Sequence, residues 1–350
     1  MTTSLPWAPL VSSIRSGRPE TTLYGILCAD GLENRQVGDI HAPLWARSLL
    51  KPWQLMVVYP VLKATYPQLT DAHYALMLAS QQGDIEQIER LQEILRLGGF
   101  SEAHLHCPAC TPLLDRNAAH LPDRSPLNHP CSGKHLAYLL ALQAQGNALT
   151  DYLSPELQPY QLTRQLLGYL LERDFIQAPE TKDGCGMPNM ALNAAELARL
   201  YRWLAYGLPS HLLEQAPEAL RPLLSVWPDI ARIMHTHPRL VGGKGRLDTR
   251  LMQGEWLRKP SVRVITKEGA EGLLGVGLSP CEAFPEGLGI LLKLSSGYEL
   301  RHLETIIFGL FKELGLVTPR PRAIESEVCL QFYFGQRSRQ EDAHEAFSHH

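Results

Sequence analysis

The spacing of apolar residues changes twice along this chain, and the order of the changes restricts how it can fold. Near the start, TTLYGILCADG is rich in β-branched and aromatic residues and closes on Asp30-Gly31. That pattern predicts a strand over about 21–28, with RQVGDI near 35–40 as its hairpin partner. From about Pro52 to Met252 the apolar residues recur at intervals of three and four, as in LTDAHYALMLAS, IEQIERLQEILRLGGF, KHLAYLLALQAQG, LTRQLLGYLLERDF and AAELARLYRWLAYG, which predicts helices. Beyond residue 260 short strands return at SVRVITK, GLLGVGL and GLGILLKL, followed by a helix at RHLETIIFGLFKEL. Strands at both ends and helices between them are reconciled if the terminal groups pair into one antiparallel sheet and the middle packs beside it. The expectation is an α+β architecture with an inserted helical region. Residues 1–50 and 255–335 supply the sheet part, 51–254 the helical part and 336–350 a polar tail of the same single unit.

Composition removes several classes of function. A chain of 350 residues that is 45% hydrophobic and 20% charged has the balance of a soluble globular protein with a sizeable core. Its formal net charge of -3 provides no summed positive field for nucleic acid or an anionic membrane. The amino-terminal MTTSLPWAPLVSSIRSGRPE lacks a basic stretch followed by an apolar run, and the most apolar segment, LLKPWQLMVVYPVL, carries Lys51 and Pro52. Seven cysteines without a leader point to a reducing compartment, so the cytoplasm is expected and the thiols are ligands or core filler. Two long connections, 101–130 with five prolines and 174–190 ending in DGCGMPN, are long enough to be functional.

Four motifs carry chemistry. In ARSLLKPW, Ser48 and Lys51 stand three apart, so on a helical turn the amine reaches the hydroxyl, and burial would turn that lysine into a base. Pro52 places both at or just before a helix start. HPCSGKH, residues 129–135, is no phosphate loop, because Asn128 stands where the Walker pattern needs glycine and His135 follows the lysine. As a metal fragment it pairs Cys131 with Cys185 of DGCGMP, and free, partly buried thiols are the competing reading. KEGAEG, residues 267–272, follows a strand as the K-T-G element does in penicillin-recognising enzymes, which also open with S-x-x-K; a solvated turn is the alternative. In HPRLVGGKGRLDT, Arg246 is able to hold a carboxylate, or merely to pair with Asp248 at a surface turn.

Taken together and in this order, RSLLKPWQ, Ala79-Ser80, CSGKH, DGCGMPN, HPRLVGGKGRLDT and KEGAEG resemble the asparaginase II family, the rhizobial type of L-asparaginase. The resemblance spans about residues 20–315 and implies a fold similar to serine β-lactamases and glutaminases. It implies two serine–lysine pairs facing one pocket, Ser48 with Lys51 and Ser80 with Lys267. It also implies a zinc ion held by Cys131, Lys134 and Cys185, and a homodimer. The implied activity is that of an amidohydrolase converting L-asparagine to L-aspartate and ammonia through an acyl-enzyme, with Ser48 as nucleophile and Lys51 as base. Arg47 or Arg246 would hold the α-carboxylate, with Asp183 and His135 beside the substrate. The competing functions are a related amidase acting on glutamine or another small amide, a catalytically silent zinc-organised amino-acid binder, and a structural zinc site that adds Cys107 and Cys110.

The chain departs from the family's pattern in two loops. SQQGDIEQ, with Gln81, Asp84 and Gln87, replaces a run that usually carries two histidines, and CPACTP, with Pro108 and Cys110, replaces C-G-x-H-x-P. Pro130 stands where asparagine is common before the cysteine. Substrate choice is the property these differences bear on.

Overall fold

The first and last thirds of the chain interleave in one sheet. Its strands are β1 (Ala8–Arg15), β2 (Arg18–Asp30), β3 (Gln36–Val37), β7 (Val264–Gly269), β8 (Leu273–Leu278), β9 (Leu288–Leu294) and β10 (Leu330–Phe332). The order is β10-β1-β2-β9-β8-β7, with β3 added on β2. Every described pairing is antiparallel, and the join between the two ends of the chain is the β2–β9 ladder, running from Gly25 opposite Leu294 to Asp30 opposite Gly289. This computed structural model describes residues 6–15, 18–31, 36–113, 115–121, 123–150, 152–175, 178–258, 261–297, 300–317 and 330–332. The polar tail expected over 336–350 lies outside the described residues.

The α+β expectation is met: the terminal strands form the antiparallel sheet and helices fill the middle. Helices stand over each of the five periodic segments named above, at Asp71–Met77, Ile85–Gly98, Ser132–Ala144, Gln158–Leu171 and Ala194–Tyr206, and a further one runs over Leu300–Glu313. The hairpin of β2 with β3 is present, with Leu27 opposite Val37. Strand β1 has no counterpart in the sequence reading, because Pro9 argues against a strand interior; the sheet accommodates it at a register shift between Pro9 and Val11. The connection 174–190 also holds structure. Strands β5 (Glu180–Lys182) and β6 (Pro188–Leu192) form a hairpin that pairs with β4 (Leu44–Trp45), and β5 is too short and polar to show a period.

Two apolar cores flank the sheet. One joins the helical region to the face that carries Ala194–Tyr206, around fully buried Trp53, Tyr138 and Tyr201; the other lies under Leu300–Glu313. Trp53 meets Tyr201 and Trp227 edge-on, with ring centroids 5.5 and 6.2 Å away, a favoured aromatic geometry that ties the helix Lys51–Thr65 to its neighbours. At Gly275 of β8, a Cβ would lie 2.5 Å from Leu49 and 2.6 Å from Tyr201, so only glycine lets these side chains rest on the sheet. Tyr201 then donates its hydroxyl hydrogen to the Leu49 carbonyl at 3.0 Å, which fixes the turn preceding the Lys51 helix. Among the described residues no helix is long and apolar enough to cross a membrane.

Candidate active site

Lys51 is the first residue of the helix Lys51–Thr65, with Pro52 in its first turn, and Ser48 lies just before it in a tight 3-10 turn, Arg47–Leu50. Ser80 follows the helix Asp71–Met77 in a short irregular stretch whose backbone is held by the Val241 carbonyl at 2.9 Å. The loop-to-helix junction of HPCSGKH packs against this same stretch. At Gly133 a Cβ would lie 2.0 Å from the Leu76 carbonyl oxygen, so glycine sets the close approach that brings Cys131 and Pro130 beside Ser80. Lys267 lies on β7 and Arg246 immediately precedes the short helix Leu247–Met252.

These elements enclose a cavity of about 170 Å³ lined by Ser48, Ser80, Leu113, Pro130, Arg246, Glu268, Gly269, Ala270, Gly272 and Leu303. Both serines reach it, and both lysines stand behind the wall, almost completely buried. The hydrogen bonds combine them differently from the pairs the resemblance implied. Lys51 Nζ lies 3.3 Å from Ser80 Oγ, and its N–H groups also face the carbonyls of Ala79 and, at 3.2 Å, Pro130. Lys267 Nζ donates instead to Asp248 at 3.4 Å and to the Glu268 carbonyl at 3.2 Å. Among the described residues no hydrogen bond joins Ser48 to Lys51 or Ser80 to Lys267.

Burial depresses both lysines. Lys51 is lowered first by loss of solvent, with Cys131 opposing and the Lys134 charge adding to the shift. Lys267 is lowered to about 8 by burial, against the pull of Asp248. A neutral lysine has two hydrogens and one lone pair. With two carbonyls taking the hydrogens of Lys51, the lone pair is left to accept the proton of Ser80, which is what a general base needs.

The expected metal ligands lie together. The Cys185 thiol hydrogen-bonds to Cys131, which holds Cys131 well below the usual thiol range and, with burial, pushes Cys185 up. Burial disfavours the charge on Lys134, but Cys185, Cys131 and Asp183 outweigh it and keep its pKa above the ordinary lysine value. Among the described residues no three His, Cys, Asp or Glu side chains are placed to hold a metal, so Cys107 and Cys110 do not complete a thiolate cage here. The buried donors available to one ion are two adjoining thiols and the Lys134 amine, a soft set that suits zinc once the amine is neutral.

Three of the expected substrate contacts are placed apart from the cavity wall. His135 is fully buried with Nδ1 2.7 Å from the Tyr152 hydroxyl, and burial holds it neutral, well below its usual range. Arg47 is a hub: its Nε is 2.8 Å from Asp183, its Nη1 meets Glu271, and its backbone N–H donates to Asn189 at 3.1 Å. It therefore ties the serine turn to the DGCG hairpin and to the β7–β8 turn. Arg47 and Glu271 both hold positive φ, 51° and 65°, a conformation side chains seldom adopt unless the surroundings impose it. Arg246, in contrast, lines the cavity and its Nη2 lies 2.7 Å from Glu268.

The sequence reading gave Glu268 no role of its own within KEGAEG; alternation on β7 is the signal that places its side chain opposite that of Lys267. It also left the altered run after Ser80 without a task. The Gln81 amide donates to the carbonyls of Leu127 and His129, both at 2.8 Å, and Gln87 donates to Leu240 at 3.1 Å. Asp84 caps the helix Ile85–Gly98. These residues bind the loops around the cavity to one another.

No curated protein sequence matches the chain. Solved structures similar to it include a probable glutaminase from Bacillus subtilis complexed with 6-diazo-5-oxo-L-norleucine, at 14% identity and a TM-score of 0.37, covering 84% of this chain and 85% of that one. A Bacillus glutaminase crystallised in the presence of 4.3 M NaCl is similar at 13% identity and a TM-score of 0.37, covering 84% of this chain and 92% of that one. The profile of the family described as L-asparaginase II matches residues 11–340, nearly the whole sequence, and the chain belongs to that family of amide hydrolases.

Proposed function

We propose that this enzyme hydrolyses L-asparagine to L-aspartate and ammonia through a serine ester. The observation that carries the reading is a small cavity walled by two serine hydroxyls, one of them 3.3 Å from a buried lysine with a depressed pKa. The Ser48 oxygen adds to the side-chain amide carbon while its proton passes by way of Ser80 to Lys51. The oxyanion collapses, the C–N bond breaks, and the Lys51 proton returns through Ser80 to the departing nitrogen. Water then cleaves the ester and restores Ser48. A second assignment, with Ser80 attacking, is favoured by its direct approach to Lys51. Acid-quenched enzyme digested and weighed by mass spectrometry locates the aspartyl ester on Ser48 or on Ser80.

Arg246 is the proposed partner of the α-carboxylate, since it lines the cavity and Arg47 is not among the lining residues. Asparagine is proposed as substrate on the strength of the family, with glutamine the alternative that the assay below separates. Zinc held by Cys131, Cys185 and a neutral Lys134 would supply positive charge beside the pocket and polarise a carbonyl or water. Ammonia release from L-asparagine and L-glutamine, with metal content measured on the same sample of wild type and Cys131→Ser, tests the proposal. Ammonia from asparagine and loss of zinc in the variant uphold it. Stabilisation by asparagine without turnover would mark a binding protein instead.

A further inference from the structure

The charged groups on the cavity wall have a pattern the proposed reaction does not by itself require. Among the described lining residues there is one cation, Arg246, and one anion, Glu268; the remainder are two serines, two glycines and Leu113, Pro130, Ala270 and Leu303. Glu268 is 3% exposed, so its charge is directed to protein neighbours and the cavity rather than to bulk water. One carboxylate oxygen accepts from Arg246 Nη2 at 2.7 Å and the other from the Asp248 backbone N–H at 3.0 Å. An ionised carboxylate has about four acceptor positions, so two contacts leave it able to receive further donors.

We propose that Glu268 is a specificity residue that receives the α-ammonium group of the substrate, so that the site selects amides carrying both a free α-amino and a free α-carboxyl group. The proposal rests on the amidase reading given above and names the substrate class within it. A zwitterion brings a cation to Glu268 and an anion to Arg246, and so adds a partner of opposite charge to each member of the pair. An amide that lacks the ammonium leaves the Glu268 side of the wall without its partner. A site built around a polar group rejects analogues lacking that group far more strongly than it rejects analogues differing by a methylene.

The test compares L-asparagine with succinamic acid, the same amide without its amino group. Wild-type enzyme is expected to prefer asparagine in kcat/KM by roughly 100-fold or more, in line with rejection of analogues that leave a buried polar group unpaired. Glu268→Gln is expected to lose most of that preference by raising KM for asparagine far more than KM for succinamic acid, and Glu268→Asp to retain part of it. Equal losses on both substrates would mark Glu268 as a support for Arg246 only and overturn the proposal, as would a wild-type enzyme indifferent to the amino group. The wild-type comparison stands even where the glutamine variant fails to fold. If neither amide is hydrolysed, the amidase reading fails separately, and thermal stabilisation by L-aspartate against succinate decides the recognition: selective stabilisation by aspartate, lost in Glu268→Gln, supports it, and equal stabilisation overturns it.

Discussion

The two walls of the cavity each bury one lysine, and they keep it in different company. On the helical wall, Lys51 meets the carbonyls of Ala79 and Pro130, the hydroxyl of Ser80 and the Cys131 thiol, whose anionic form is its counter-charge. On the sheet wall, Lys267 stands against the fully buried carboxylate of Asp248, itself beside Arg246 and Glu268. The difference lies in the Ser80 hydroxyl, which can exchange a proton with the Lys51 amine, where Lys267 has a carboxylate instead. An ion pair commits the charge, and moving the proton of Lys267 leaves Asp248 without its nearest counter-charge. In the proposed reaction the helical wall is the one that would move a proton and the sheet wall the one that would hold charge.

The comparison predicts unequal responses. Replacing Lys51 by Met should lower ammonia release by about 10²- to 10⁴-fold, the usual share of a general base, with little change in the thermal melt. If Lys267→Met lost as much turnover with equally small effect on folding, the distinction between the walls would be gone. Asp248→Asn should instead be read in stability: leaving a buried charge without its partner costs about 3–5 kcal/mol, measurable as a reduced unfolding free energy in urea. An unchanged urea midpoint would show that the Lys267–Asp248 pair does not hold charge as proposed.

A smaller effect lies in pH. Lys267 titrates at about 8 in the folded chain, against an ordinary 10.5. Between those values the unfolded chain binds a proton here that the folded chain does not, so this group makes folding more favourable as pH rises from about 8 to 10.5. The difference in stability between wild type and Lys267→Met should change in that window and be flat below it, which urea unfolding at a series of pH values checks. Smallest is Glu271→Gln. The Glu271 side chain is 49% exposed, and pairs at such sites contribute under about 1 kcal/mol, so its melting temperature should fall only slightly. A large fall would show that the Arg47 hub depends on that partner.

Much of this was legible from residues alone, for a reason tied to their spacing. The helices announced themselves because an apolar stripe recurs at three and four, and Pro52 marked the start of the helix that carries Lys51. Cys131 and Cys185 could be paired from their glycine-flanked loops, and the family resemblance added Lys134. What the spacing could not carry is which partner a side chain takes across the fold. Ser80 and Lys267 are both present, yet Lys51 reaches Ser80 and Lys267 reaches Asp248, a choice made by the packing of three separate elements. Glu268 had no role in the reading of KEGAEG, where the lysine and the glycine carried the K-T-G likeness; its place on a strand that borders a cavity is what suggests one. The glutamines after Ser80 looked like losses of histidine, and their amides turn out to hold neighbouring loops together.

The Arg47 hub has a consequence for the order in which the enzyme is made. Arg47 and Glu271 are 224 residues apart in sequence, and β2 finds its central neighbour β9 only after nearly the whole chain exists. Contacts of such long range close late, because the loop entropy must be met before they are rewarded. On the ribosome the serine turn, with Ser48 and Lys51, is therefore synthesised long before the sheet wall that faces it. A nascent chain ending before β7 carries Ser48, Lys51 and Ser80 but lacks the sheet wall of the pocket, so the proposed competence to hydrolyse an amide would arrive with the last strands rather than growing by degrees.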